Sequence, residues 1–187
     1  MSSIIQDDLF RYEGERSKKT LIMLRYFFFT PGFRFTFYFR KAQKAKFFLF
    51  RFLWKICHRL CMYSTGIQIP VTTQIGRGFR ISHWGTIVVN GGAVIGDNFN
   101  IAQGVLIGYS EGKNKGVPII GNNVIINANA VVVGGVKIGD NVLIAPNSFV
   151  NFNVPSNSIV IGNPGKIISR DSSPTDKYIV YKYIKRK

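Results

Sequence analysis

A coil of short parallel β-strands, preceded by a small helical region, is the fold class this sequence predicts. A bulky aliphatic residue returns every six positions, at Ile69, Ile75, Ile81, Val89, Ile95, Ile101, Ile107, Ile120, Ile126, Val132, Ile138, Ile144 and Val150. Only two phase breaks interrupt these thirteen positions: an eight-residue unit from Ile81 to Val88 that holds His83, and an insertion between Gly108 and Pro118. Small or turn-forming residues surround the grid, as in IGRGFR, IGDNFN, IGNNVI and IGDNVL. A helix is excluded, because six does not match 3.6 residues per turn and the aliphatic positions would wander around the cylinder. A coiled wall satisfies the period: each hexapeptide makes one flat face, its aliphatic residue points inward, and Gly, Asn or Asp takes a corner where φ is often positive.

The 187 residues allow one substantial domain plus an appendage, and 46% hydrophobic content argues against disorder. Three segments follow from the composition: a basic, aromatic-rich helical region over 1–65, the coil over 66–168, and a basic tail over 169–187. Residues 1–20 are polar and mixed in charge, without the basic start and apolar run of a secretory signal. Residues 21–39 are broken by Pro31-Gly32, which predicts helix, turn, then a second helix or extended piece. Residues 40–63 read as one helix, with Arg40, Lys44, Arg51, Lys55 and Arg59 near one stripe and Phe, Leu, Trp and Ile over most of the rest. Thr65-Gly66 closes the helical part. The last stretch, from Asp171, reads as a short helix or strand folding back or as a loose basic tail.

The net charge of +16 suits an anionic partner, and it is unevenly placed. Residues 1–66 hold thirteen Lys/Arg against four Asp/Glu and seventeen of the 26 aromatic residues, while Lys177 to Lys187 adds five Lys/Arg. No apolar run here approaches the roughly 20 residues needed to cross a bilayer. A helix over 40–63 with a broad aromatic face and a cationic stripe suits the anionic membrane interface instead. The bland alternative packs the aromatics against the coil or another subunit. Nucleic acid is disfavoured, since the aromatics cluster rather than alternating singly with cations. Cys57 and Cys61 imply neither a disulfide framework nor a zinc site, and no metal cluster is readable. A cytoplasmic protein, peripheral on the inner membrane face, is the expectation.

With the hexapeptide grid, the unit ISHWGTIV and the ending IVIGNPGKII, the chain resembles the left-handed β-helix acyltransferases, nearest their serine acetyltransferase-like branch, over roughly residues 66–168. The resemblance implies a homotrimer with sites between subunits, acetyl-coenzyme A as donor and a hydroxyl as acceptor. It makes His83 the general base, a role imidazole suits because an alcohol is nearly inert toward a thioester until its proton is taken. It also implies a coenzyme groove touching Gly108, Tyr109, Ala128 and Pro146; Lys113, Lys115 and Lys166 read either as cations toward its phosphates or as ordinary solvated lysines. Gly108–Tyr109 is the implied neighbourhood of the oxyanion, which backbone N–H groups stabilise. Pro146 has no N–H to give, though its carbonyl remains. The insertion GYSEGKNKGVP lacks the spacing of a nucleotide-hydrolysing phosphate loop.

Departures from that branch shape the functional expectation. Ser82 stands where an aspartate precedes the histidine, Gln68 where an aspartate orients it, and Val117-Pro118 where a second histidine would follow. The amide oxygen of Gln68, the Ser82 hydroxyl or a backbone carbonyl is left to orient His83; a neutral partner stabilises imidazolium less than a carboxylate does. The loss of serine-gripping residues, with the basic aromatic N-terminus, points to an O-acetyltransferase acting on a sugar of a capsule, exopolysaccharide or O-antigen, or on its lipid-linked precursor. Serine O-acetylation, N-acetylation of an amino sugar, and a non-catalytic β-helix scaffold are the alternatives.

Overall fold

The computed structural model describes residues 3–14 and 19–184. Four helices, α1 (Ile4–Glu13), α2 (Lys19–Phe29), α3 (Pro31–Lys44) and α4 (Phe48–Thr65), precede the coil. Its strands stack into three flat walls. Wall A holds β1 (Ile67–Gln68), β4 (Ile87–Val89), β7 (Leu106–Gly108), β10 (Val131–Val133) and β13 (Phe149–Val150). Wall B holds β2 (Gln74–Ile75), β5 (Val94–Ile95), β8 (Ile119–Ile120) and β11 (Lys137–Ile138). Wall C holds β3 (Arg80–Ile81), β6 (Asn100–Ile101), β9 (Ile125–Ile126), β12 (Leu143–Ile144), β14 (Ser158–Ile161) and β15 (Lys166–Ser169). Every pairing between these strands is parallel except β14 with β15, which closes wall C as a hairpin. The chain is a parallel β-helix, as the six-residue repeat predicts, of the left-handed kind that the family resemblance implies.

The aliphatic grid fills the coil. All thirteen grid residues are at most 7% exposed, with Phe79 and Phe99 stacked between them at 5.9 Å. Burial of this continuous apolar column is the main driving force for a coil whose turns are too short to stand alone. The corners follow the same logic. Asn98, Asn123, Asn141 and Asn157 take φ between 55° and 58°, a left-handed conformation that asparagine tolerates because its side chain bonds locally. Their amides form a ladder: Asn98 Nδ2 donates to Asn123 Oδ1 (3.1 Å), Asn123 to Asn141 (2.9 Å), and Asn141 to Asn157 (2.9 Å).

The helical region is clamped to the coil by buried charge. Asp8 and Arg40 are almost fully buried; Arg40 Nε donates to Asp8 Oδ2 at 2.8 Å, and its Nη1 donates to the Ile75 carbonyl at 2.6 Å. The Phe79 N–H donates to Asp8 Oδ1 at 2.8 Å. Arg11 Nη1 reaches the Gly78 carbonyl (2.9 Å) and its Nη2 reaches Asn100 Oδ1 (2.8 Å). Arg77 pairs with Asp7. These bonds satisfy most of the polar capacity that burial would otherwise leave costly. α1 itself is set by a capping box in which Ser3 Oγ accepts the Gln6 N–H and the Gln6 side chain accepts the Ser3 N–H.

Two sequence expectations change here. The single helix over 40–63 is two helices, with a reversal at Ala45–Phe47. The reversal lets α3 and α4 pack antiparallel, setting Phe37 and Tyr38 on Trp54 and Phe35 and Phe39 on His58. Arg40 therefore leaves the proposed cationic stripe and is buried. The tail forms no helix or strand over 171–184, yet it is not loose: Ile179 is buried, and the Tyr183 N–H donates to Asn98 Oδ1 at 2.7 Å, capping the asparagine ladder. The basic residues Lys185, Arg186 and Lys187, like Arg16 and Lys18, lie outside the described residues.

Candidate functional site

Where wall C turns into wall A, each coil contributes a corner, and these corners stack into one edge. The first is the eight-residue unit, whose two extra residues carry Ser82, His83 and Trp84 out into solvent. Gly85 makes this possible: its φ of 142° is a conformation closed to most side chains. Beneath it come Ala102–Val105, Asn127–Ala130, Ala145–Ser148 and the hairpin tip Gly162–Gly165. Backbone bonds tie successive corners, Asn129 N–H to Gln103 O (3.0 Å), Asn147 N–H to Ala128 O (3.0 Å) and Gly165 N–H to Phe149 O (3.0 Å). Gly104 lies so close above the Asn129 side chain that a Cβ there would collide with it.

This edge gathers five of the predicted site residues: Ser82, His83, Ala128, Pro146 and Lys166. Five strand spacings of about 4.8 Å, from β3 to β15, place His83 and Lys166 about 24 Å apart along it. The Ala128 N–H has no partner among the described residues, while its carbonyl is taken by Asn147. Pro146 and Lys166 are exposed. The arrangement is a track with an imidazole at one end, a free backbone donor midway and a cation at the other.

Gly108, Tyr109 and Lys113 are elsewhere. Gly108 ends β7, and Tyr109 and Lys113 follow it at the corner between walls A and B, separated from the His83 edge by three-residue strands, about 10 Å of wall. The insertion after them folds as an arm: Ser110 and Gly116 exchange backbone bonds (3.0 and 3.1 Å), and Lys115 pairs with Glu111 at 3.1 Å. A cleft of about 440 Å³ lies at its base, lined by Ser110, Lys113, Asn114, Asn151 and Phe152 among others. One chain thus does not unite the two halves of the predicted coenzyme site.

The orienting partners for His83 are also not assembled within the chain. Among the described residues no hydrogen bond joins Gln68, Ser82 or a backbone carbonyl to the imidazole. Gln68 pairs in register with Val88, so it projects from the outer face of wall A beyond the turn that bears His83. Gln103, which the sequence reading passed over, packs directly beneath Gly85, and its Oε1 is buried with no partner among the described residues. Its signal was positional: one coil below the histidine unit, a long polar side chain occupies a corner where the following coils carry Ala128 and Pro146. His58, the other histidine, is no part of this edge. It is buried against Phe35 and Phe39, and desolvation, with Arg59 nearby, lowers its pKa to about 4.

Fold and repeats define the class: a left-handed β-helix of hexapeptide repeats. Residues 118–151 match the family described as bacterial transferase hexapeptide (six repeats). Among curated proteins the chain is similar to the serine acetyltransferase of Staphylococcus aureus, 39% identical over 128 residues that cover 67% of this chain and 60% of that protein. The serine acetyltransferase of Staphylococcus xylosus is 41% identical over 131 residues, 69% of this chain and 58% of that one. Among solved structures, Neisseria gonorrhoeae serine acetyltransferase in complex with serine superposes with a TM-score of 0.71 at 27% identity, covering 87% of this chain and 67% of that chain. The chain therefore spans about three-fifths of the length of the curated relatives it matches.

These matches correct the functional expectation. The sugar hydroxyl of a surface polysaccharide, inferred from Gln68, Ser82 and Val117, is overturned, as is the likeness to capsule and exopolysaccharide enzymes: the similar proteins are serine acetyltransferases. Departures at three positions outweighed, in that inference, a likeness that runs through two-thirds of the chain.

Proposed function

We propose that the protein transfers an acetyl group from acetyl-coenzyme A to the hydroxyl of L-serine. The observation that carries the chemistry is the exposed His83, raised on its own bulged corner at the head of a track that holds Ala128, Pro146 and Lys166. The serine acceptor rests on the relatives. In this scheme the imidazole takes the hydroxyl proton as the serine oxygen attacks the thioester carbon. The tetrahedral intermediate then collapses, the C–S bond breaks, and the proton passes from imidazolium to the departing thiolate. The Ala128 N–H binds the pantetheine arm and Lys166 meets coenzyme phosphates.

Because Gly108, Tyr109 and Lys113 lie one wall away from His83, a site that uses both corners requires two copies of the chain. A homotrimer supplies this by setting the arm of one subunit against the His83 edge of the next. The Gly108–Tyr109 backbone is then the candidate oxyanion donor.

Thiol release from acetyl-coenzyme A tests the scheme. Turnover is expected with L-serine and not without acceptor, and His83→Ala should lower it about 100-fold or more with coenzyme binding retained. Absence of turnover with serine would remove the acceptor assignment, and near wild-type turnover in His83→Ala would remove the base.

A further inference from the structure

The outer face of α4 is apolar and uncovered. One side of this helix is buried through His58, Cys61 and Thr65 against α3 and the start of the coil. The opposite side carries Leu49, Phe52, Leu53, Ile56, Leu60 and Tyr63, each at least 41% exposed. Their spacing places them on one stripe of a helix about 27 Å long. Along one border of the stripe run Arg51, Lys55 and Arg59, all exposed and four residues apart. At the helix start a groove of about 360 Å³ is walled by Phe47, Phe50 and Trp54 and rimmed by Lys41, Lys44 and Lys46. An apolar ridge this long exceeds what water-facing surfaces ordinarily tolerate.

Charge selects the occupant. From residue 16 to residue 96 the chain has fourteen Lys/Arg and no Asp or Glu. A second copy pressed against this face would bring cations to cations with no carboxylate in the segment to pair them. An anionic bilayer supplies both missing components, acyl chains for the ridge and phosphates for its border. No helix among the described residues is long and apolar enough to cross a membrane, so the contact is lateral. We propose that the outer face of α4, its apolar ridge bordered by Arg51, Lys55 and Arg59, seats the protein on an anionic phospholipid surface.

Flotation with phosphatidylcholine vesicles, with and without phosphatidylglycerol, tests this independently of acetyl transfer. Wild-type protein is expected to float with the anionic vesicles and to dissociate as salt rises. Arg51→Gln/Lys55→Gln/Arg59→Gln should weaken partitioning roughly fivefold per cation, about 100-fold together. Ile56→Glu/Leu60→Glu, at exposed positions, should abolish flotation while melting and sedimentation in solution stay as in wild type. Wild-type protein that stays with the buffer overturns the proposal. So does equal flotation with phosphatidylcholine alone, which removes the charge argument. A shift in oligomeric state caused by Ile56→Glu/Leu60→Glu also overturns it, since the ridge would then be a contact between copies.

Discussion

Burial strips His58 of the water its cation needs, and its pKa falls to about 4 from an ordinary 6.5. The sign of the consequence follows by linkage. Below 6.5 the unfolded chain protonates this histidine while the folded chain resists until about 4, so stability is full above 6.5 and declines as pH drops through that window. Urea melts between pH 7 and 4 should show this decline, and His58→Met should make it shallower. An unchanged slope would assign the loss to other groups. His58 shows what single residues disclose in advance: its identity and helical position were readable, but its two aromatic neighbours come from α3, and only the reversal at Ala45–Phe47 brings them in. The reversal has no proline or glycine to announce it. His83 was readable for the opposite reason, since it sits in a break of a local repeat and needs no distant partner to be noticed.

At the scale of elements, the walls and corners were legible because each repeat carries its own instruction: one inward aliphatic residue and one corner former. The asparagine ladder is the clearest case. Its members lie at left-handed corners, and apart from the contact of Asn98 with Tyr183 of the tail their amides bond along the ladder to the coils immediately above and below. Asn123→Ala should therefore cost more than Asn123→Gly, because glycine relieves the backbone although both lose the amide bonds. Thermal melts should separate the two variants by about 1 kcal/mol. Equal losses would mean that the hydrogen bonds, rather than the backbone conformation, dominate. The coenzyme candidates were legible one by one but not as a set, since corner membership depends on coil count; Gly108 and Ala128 read alike in sequence and lie on different edges.

For the molecule as a whole, the least legible feature is the union of helices and coil. Asp8 looks like an ordinary solvent-facing acid at the chain start, yet it is buried on Arg40 and the Phe79 N–H, 32 and 71 residues away. Composition cannot foresee such a pair. Asp8→Asn keeps the shape and strands the Arg40 charge, so a loss of about 3–5 kcal/mol is expected. Replacing both, Asp8→Leu with Arg40→Met, should recover part of it. If denaturant unfolding leaves Asp8→Asn indistinguishable from wild type, the clamp does not hold the two parts together.

The hairpin of β14 and β15 bears on a different hazard. Stacked parallel strands end in a row of unpaired N–H and carbonyl groups, which invites the next identical molecule to continue the column. By turning back antiparallel, β15 consumes those groups on wall C with its own chain. At the other end α4 leads straight into β1, covering the first coil with a helix instead of a bare strand. A repeat that is open-ended by construction is thereby given a finite length, and growth into fibrils is discouraged at both ends.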